Sequence, residues 1–211
     1  MDAGVVPVKA LDRAKSRLGQ AYGDEKRAAL VEALLEDTFS LCSSVSFLEW
    51  FFVSSDRGVL ERAEQLGFQP IEEAGDGLND ALTQACTEIA ALDFESVTVL
   101  PADLPLAEKW DLHDLVDTGA TSDIVVVPSR NDGGTNGLYL CPPRVIEPRF
   151  GTQSFRAHLK EGEAKGVRCA ILAPPRLGLD IDTVEDAVEL MERGGESKTA
   201  QLLATFGAPS I

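Results

Sequence analysis

The sequence contains little of the residue types from which metal clusters and disulfide frameworks are built. Its 211 residues include two histidines and four cysteines, and no two cysteines form a C-x-x-C pair. A zinc site or a disulfide framework is therefore not expected. Each cysteine stands in apolar sequence, which predicts four buried free thiols. These cysteines are Cys42, Cys86, Cys141 and Cys169.

Long hydrophobic runs are also missing, and so is a recognisable export signal. No segment approaches the roughly 18 consecutive apolar residues that a membrane-spanning helix requires. The first residues, Met1 to Val5, include no basic stretch and no cleavage site of a secretory signal. We expect a cytoplasmic protein without a membrane partner.

Basic residues are scarce, yet four of them are concentrated in one loop. The chain has 19 Lys and Arg against 35 Asp and Glu, a formal charge of -16, which argues against nucleic acid as a partner. Lys9, Arg13, Lys15 and Arg17 follow the first apolar run, and Ser16 adds a hydroxyl. This cluster predicts a bound polyanion such as a triphosphate, although a solvated basic loop has the same composition. The glycine fingerprints of P-loops and dinucleotide-binding proteins are absent.

Apolar runs and helical patterns alternate along the whole chain. This alternation is typical of an α/β protein with a mostly parallel central sheet flanked by helices, here predicted as one domain over residues 1–211. The predicted strands are Val5–Val8, Trp50–Val53, Val97–Leu100, Ile124–Val127, Leu138–Leu140 and Arg168–Leu172. The predicted helices are Asp24–Cys42 with Asp24 as its N-cap, Gly58–Leu66, Asp80–Leu92, Leu112–Thr118, Phe155–Gly162, Thr183–Arg193 and Lys198–Thr205.

Carboxylates follow two of these apolar segments. Asp103 lies just beyond a strand between two prolines, a position where a carboxylate commonly binds Mg²⁺. Asp180 and Asp182 alternate along an extended segment, so either could complete a metal site with Asp103. The simpler interpretation is that Asp103, Asp182 or Thr183 caps a following helix. The Asp-x-Asp-x-Val pattern also occurs in haloacid-dehalogenase phosphatases, but there it normally follows the first strand of the domain.

Three further loops could contact a ligand, although each could also be an ordinary turn. The first contains Gly77 and Asn79, and its small residues would let a base or ribose approach the backbone. The other two contain Thr135 and Asn136, and Gly151 and Ser154, and the last of these loops opens a helix whose N-terminus attracts anions. His158, one turn into that helix, is interpreted as a packing or supporting residue rather than a base.

Six motifs in order resemble those of the phospholactate and phosphoenolpyruvate guanylyltransferases, which make a precursor of the deazaflavin coenzyme F-420. The motifs are Val-Pro-Val-Lys with Ala-Lys-Ser-Arg-Leu, Gly-Leu-Asn-x-Ala, Pro-Ala-Asp-Leu-Pro-Leu, Gly-Gly-Thr-Asn, Phe-Gly-x-x-Ser-Phe-x-x-His and Asp-Ile-Asp-Thr. They extend from about residue 5 to residue 190. The resemblance implies a Rossmann-like fold of the nucleotide-diphospho-sugar transferase type.

The resemblance further implies GTP as donor, Mg²⁺ as cofactor and a phosphorylated three-carbon acid as acceptor. By position, Asp103 and Asp182 match metal ligands, with Asp180 as a further candidate. The triphosphate-binding loop corresponds to Lys9, Lys15 and Arg17, and the nucleotide-contacting segment to Asn79. Acceptor-binding positions correspond to Asn136, Gly151 and Ser154; some relatives have Thr in place of Asn136.

The hypothesis that follows is an in-line displacement at the α-phosphorus of GTP by the acceptor's phosphate, with release of pyrophosphate. Asp103, Asp182, Lys15 and Arg17 would be the catalytic residues, acting by positioning and charge stabilisation. The alternatives are another acceptor on the same fold (3-phosphoglycerate, the molybdenum cofactor or a sugar phosphate) and a regulatory domain that binds nucleotide without turnover. Hand-over of an unstable product to the next transferase and a homodimer near Trp110 are further expectations.

Overall fold

This computed structural model describes residues 1–9, 15–75, 77–193 and 195–206, and of residues 16 and 17 it describes the backbone only. Within these residues, seven strands form one sheet. The strands are β1 Asp2–Pro7, β2 Glu49–Ser54, β3 Gln69–Glu72, β4 Ser96–Val99, β5 Ile124–Pro128, β6 Thr135–Leu140 and β7 Cys169–Ile171. The helices are α1 Ser16–Tyr22, α2 Asp24–Ser44, α3 Arg57–Gln65, α4 Leu78–Ala91, α5 Lys109–Gly119, α6 Ser154–Lys165, α7 Val184–Arg193 and α8 Lys198–Phe206. No helix in this part of the chain is long and apolar enough to cross a membrane.

The sheet is mixed, with one reversed strand near its centre. The strand order is β3-β2-β1-β4-β6-β5-β7, and β6 is antiparallel to both of its neighbours while the other pairs are parallel. Because β6 runs the opposite way, its first residues lie at the same edge as the carboxyl ends of β1 and β4. The loops after β1 and β4 and the start of β6 therefore meet at one edge of the sheet.

Apolar side chains alternate between the two faces of the sheet and fill a core on each side. Val6 of β1 packs with α2, α3 and α5, whereas Val5 packs on the opposite face with α4. Strands that are buried on both faces read as continuous apolar runs, and this is why they were recognisable in the sequence.

A third apolar cluster fixes the loop before α7. Leu179 and Ile181 are fully buried against α1, α2, α7 and α8, and Leu18 of α1 joins them. Full burial of such a side chain contributes about 1.5–3 kcal/mol. Since successive side chains of an extended segment point to opposite sides, burying these two residues directs Asp180 and Asp182 away from the cluster.

Several predicted boundaries needed correction. Strand β3 and helix α1 were not predicted, because β3 has one buried residue among four and α1 is short and polar. Asp24 is not the N-cap of α2 but its first residue; Gly23, at a φ of 83°, precedes it. An acidic residue in that first turn still interacts favourably with the helix dipole.

The prediction of four buried thiols was correct for two of them. Cys42 and Cys86 are buried, whereas Cys141 is half-buried and Cys169 is exposed. Cys169 begins β7, an edge strand of the sheet, so one side of this strand has no neighbouring strand to cover it. All four cysteines are unpaired, as expected.

Candidate active site

Lys15 joins the two carboxylates that the sequence analysis selected as metal ligands. Its Nζ lies 2.5 Å from Oδ2 of Asp103 and 2.5 Å from Oδ1 of Asp182, although these residues are 88 and 167 positions away. The two carboxylate oxygens share one nitrogen as neighbour, so they are at most about 5 Å apart. Burial lowers the pKa of Lys15, but the charges of Asp103 and Asp182 outweigh burial and raise it above its usual value. The ammonium group is therefore protonated at any physiological pH.

Backbone hydrogen bonds hold the segments that carry Lys15 and Asp103. Lys15 precedes α1 in the left-handed conformation, with a φ of 57°, and its carbonyl accepts hydrogen bonds from Leu18 and Gly19. Asp103 lies in the loop after β4, and its carbonyl accepts a hydrogen bond from the Ile181 N–H at 3.1 Å. That bond ties the loop after β4 to the segment before α7.

Thr183 and Asp186 provide helix capping before α7. Oδ2 of Asp186 accepts hydrogen bonds from the Asp182 and Thr183 N–H groups, and the Thr183 hydroxyl accepts one from the Asp186 N–H. The Asp182 carboxylate contacts Lys15. The capping interpretation is therefore right for Thr183, and the site interpretation is available for Asp182.

The two carboxylates fit a divalent cation. Oδ1 of Asp103 is buried and has no hydrogen-bond partner among the described residues, which leaves one oxygen with an unused lone pair beside the Lys15 cation. Mg²⁺ is usually held by one or two carboxylates, with phosphate oxygens and water completing its shell. Among the residues described here, no cluster of three His, Cys, Asp or Glu side chains surrounds a metal position. Asp103 and Asp182 therefore fit an ion that a nucleotide helps to bind.

Asp180 lies beside this pair, in a pocket of hydrogen-bond donors. Its Oδ1 accepts hydrogen bonds from the Ser129 hydroxyl at 3.0 Å and from Nδ2 of Asn136 at 2.9 Å. Burial and the charge of Asp103 raise its pKa, while the two hydrogen bonds oppose that shift. Sequence reasoning did not find Ser129, because a lone serine after a strand has no distinctive pattern.

The predicted acceptor residues meet at the start of β6 and α6. Asn136 donates both of its Nδ2 hydrogens, one to Asp180 and one to the Leu177 carbonyl at 2.9 Å. Its remaining side-chain group is Oδ1, which can only accept a hydrogen bond. Thr135 and Ser154 are buried, and their hydroxyl oxygens are 2.9 Å apart.

Two backbone N–H groups at the start of α6 already have hydrogen-bond partners within the protein. The Ser154 N–H donates to the Gly151 carbonyl, and the Phe155 N–H donates to the Gly133 carbonyl. These two amides are therefore engaged within the protein, and an anion site at this helix start stays a prediction. Gly151 itself has a φ of 128° and open space where a Cβ would lie.

His158 is a buried residue of α6 that contacts this region. Its Nε2 accepts the Arg149 N–H at 2.9 Å, and its Nδ1 lies 3.1 Å from the Thr135 hydroxyl oxygen. Burial lowers its pKa to about 4, so the ring is neutral at pH 7. This environment supports its interpretation as a packing or supporting residue.

The predicted nucleotide-binding residues are only partly placed. Arg13 lies outside the described residues, as do the side chains of Ser16 and Arg17. Lys9 is exposed at the end of β1. Asn79 forms a two-way hydrogen bond with the Phe150 backbone, at 2.7 and 3.1 Å, and thereby links its loop to the one before α6. Gly77 precedes α4 with a φ of 127°.

Comparison with known proteins identifies the family. Residues 3–209 match a family model described as "Guanylyl transferase CofC like". The 2-phospho-L-lactate guanylyltransferase of Methanocaldococcus vulcanius is 33% identical over 204 residues, covering 96% of this chain and 90% of its own. The phosphoenolpyruvate guanylyltransferase of Rubrobacter xylanophilus is 35% identical over 192 residues, covering 90% and 94%.

The fold has a counterpart among solved structures. A crystal structure from Desulfovibrio desulfuricans, described as a nucleotide-diphospho-sugar transferase, matches with a TM-score of 0.82 and 16% identity, covering 97% of this chain and 94% of its own. This likeness confirms the fold class predicted from the sequence. With the family model spanning nearly the whole sequence, the chain is a member of the CofC-like guanylyltransferase family.

Proposed function

We propose that this enzyme transfers GMP from GTP to phosphoenolpyruvate or 2-phospho-L-lactate and releases pyrophosphate, a step in coenzyme F-420 biosynthesis. Family membership supports guanylyl transfer, and relatives named for each of the two acceptors are similar to this chain to nearly the same degree. The observation that supports this site is the convergence of Asp103, Asp182 and Lys15 at the sheet edge where Asn136 also lies.

The reaction requires no general base from the protein. An oxygen of the acceptor's phosphate, already ionised at neutral pH, forms a bond to the α-phosphorus of GTP. The bond from that phosphorus to the β-phosphate oxygen breaks, and pyrophosphate leaves with the electron pair. Both reactants are anions, so the protein's task is to hold them in line and to offset their charge.

Acidic and basic side chains have different parts in this task. Asp103 and Asp182 would hold Mg²⁺, which when bound neutralises charge on the phosphate oxygens. Lys15 keeps its positive charge at neutral pH and lies against both carboxylates, so it can contribute to the same neutralisation. We assign the triphosphate to the loop of Lys9, Arg13, Ser16 and Arg17, and the guanosine to Gly77 and Asn79.

For the acceptor we assign Thr135, Asn136, Gly151 and Ser154. Since Asn136 has only an oxygen left to offer, its contribution is to orient Asp180, and the hydroxyl pair of Thr135 and Ser154 would donate one hydrogen bond to the acid's anionic oxygens. We place the reaction in the cytoplasm, with direct hand-over of the product to the next transferase and a homodimer near the exposed Trp110 as further proposals.

The test is pyrophosphate release from GTP with a panel of acceptors: phosphoenolpyruvate, 2-phospho-L-lactate and 3-phosphoglycerate. We expect one of the first two to give product, with its guanylylated form identified by mass spectrometry. Asp103→Asn should abolish this signal, whereas Asp24→Asn, at an exposed helix start, should not change it. Absence of pyrophosphate with every acceptor would refute the proposed function.

A further inference from the structure

The hydroxyl groups of Thr135 and Ser154 form a short hydrogen-bonded chain with His158. Thr135 Oγ1 lies 3.1 Å from Nδ1 of His158 and 2.9 Å from Oγ of Ser154. All three residues are buried, and they come from the start of β6 and the first two turns of α6. In such surroundings a hydrogen bond is little weakened by solvent, so its direction matters.

The direction of the chain is set by the backbone of Arg149. Its N–H donates to Nε2 of His158 at 2.9 Å, so Nε2 must carry a lone pair and not a hydrogen. The burial that lowers the pKa of His158 to about 4 keeps the ring neutral at pH 7. A neutral ring with an unprotonated Nε2 carries its hydrogen on Nδ1, and Nδ1 therefore donates to the Thr135 oxygen.

Counting hydrogens shows what remains at the end of this chain. The two hydroxyl groups have one hydrogen each, and the bond between them uses one. Ser154 donates its hydrogen to the Thr135 oxygen, and that oxygen also accepts from Nδ1 of His158. Both lone pairs of Thr135 are then engaged, which leaves the Thr135 hydrogen without a use inside the chain. Among the described residues, neither hydroxyl has a further hydrogen-bond partner. If Nδ1 were instead an acceptor, Ser154 would donate to Thr135 and Thr135 to His158, and no hydrogen would remain.

We infer that His158 is a positioning residue whose Nδ1–H group, together with the Ser154 hydroxyl, occupies the lone pairs of Thr135 and so directs the Thr135 hydroxyl as a donor to an anionic oxygen of the acceptor acid. The inference rests on the proposed function, since it takes Thr135 as an acceptor-binding residue. It adds a residue that does not touch the substrate and a reason for a buried neutral histidine in this helix.

The first test replaces the middle member of the chain. Thr135→Val has nearly the same shape but no hydroxyl, so it removes the directed donor and leaves His158 and Ser154 in place. A hydrogen bond from a neutral group to a charged one is worth enough that its loss should raise KM for the acceptor roughly 10- to 100-fold. KM for GTP should stay within about two-fold of the wild-type value, and Thr135→Ser should recover most of the lost affinity.

A matched control separates this effect from general damage to the sheet. Thr98 lies on β4, the strand next to β6, and its buried Oγ1 has no partner among the described residues. Thr98→Val therefore makes the same change without breaking a hydrogen bond, and it should leave both KM values unchanged. Melting curves of both valine variants would show that each one folds.

A double-mutant cycle tests the role of His158 itself. If His158 acts through Thr135, His158→Leu should raise KM for the acceptor in the wild-type background but add little to Thr135→Val. His158→Asn, whose amide can donate from a position near Nδ1, should retain part of the affinity. If the two effects add fully, or if Thr135→Val leaves KM for the acceptor unchanged while wild-type enzyme turns over, this inference is wrong. Wild-type enzyme without turnover would instead refute the proposed function.

Discussion

Replacing Lys15 by methionine should make the stability of this protein depend on Mg²⁺. Lys15 supplies the positive charge between Asp103 and Asp182. Methionine has a similar length and no charge, so the variant would hold two carboxylates at most about 5 Å apart with their bridging cation removed. A divalent ion could then occupy the vacated position without competing with an ammonium group.

The size of the effect follows from the geometry. Two like charges 5 Å apart repel by about 3 kcal/mol at an effective dielectric constant of about 20. The Asp182 side chain is 47% exposed and that of Asp103 is 24% exposed, so solvent screening reduces this to about 1–2 kcal/mol. For a chain of this length, that loss lowers the melting temperature by about 2–8 °C.

The assay is thermal unfolding of wild type and Lys15→Met with EDTA and with millimolar Mg²⁺, without nucleotide. We expect the variant to melt earlier in EDTA and to recover most of the difference in Mg²⁺, while wild type responds less. Lys198→Met is the control, because Lys198 pairs with a single carboxylate, that of Glu36. If Mg²⁺ raises the melting temperature of Lys15→Met neither without nucleotide nor with GTP present, the assignment of these carboxylates to a metal is refuted.

Three further outcomes can be measured directly. Asp103→Asn keeps the size of the side chain and should lower pyrophosphate release at least 10²-fold with an unchanged circular dichroism spectrum, because it removes preorganised charge rather than packing. The pKa of His158 is lowered to about 4 from an ordinary 6.5, so its contribution to stability is complete above pH 6.5 and is lost as pH falls toward 4. By pH 4 this loss amounts to about 3 kcal/mol. The melting temperature of His158→Asn should therefore fall less than that of wild type between pH 6.5 and pH 4. The control variant His113→Asn, at a half-exposed histidine, should behave like wild type. Brief alkylation of the native protein should label Cys169 before Cys42, because Cys169 is exposed, whereas burial keeps the Cys42 thiol inaccessible and raises its pKa. Mass spectrometry of the peptides would show the order of labelling, and equal labelling of the two cysteines would contradict the burial pattern.

Much of the architecture could be predicted because the interior strands are buried on both faces. Such strands leave uninterrupted apolar runs, as in Trp50–Val53 and Ile124–Val127, and these runs lie within β2 and β5. Strand β3 could not be predicted in this way, because it lies at the edge of the sheet and only Ile71 is buried. Helix α1 is too short to show a periodic pattern, and its packing depends on Leu18 reaching a cluster formed by distant segments.

The candidate site was predictable in its residue types but not in its contacts. Asp103 and Asp182 could be selected because carboxylates directly after buried segments lie at a sheet edge, where ligands bind in α/β folds. The partner of these carboxylates could not, because the basic loop has four candidates and nothing local distinguishes Lys15 from the others. The roles of Ser129 and Arg149 depend on hydrogen bonds across 51 and 9 positions, which no local pattern records.

By itself, the order of residues determined the fold class, the family and the short acidic and basic segments proposed for the active site, because burial periodicity and local motifs are properties of the sequence. Only the tertiary structure decided that one lysine lies between two carboxylates and that a buried histidine lies within hydrogen-bond distance of the Thr135 hydroxyl. Those arrangements arise where the reversed strand β6 brings its first residues to the carboxyl ends of β1 and β4, and charge and hydrogen-bond direction depend on distances in space rather than along the sequence.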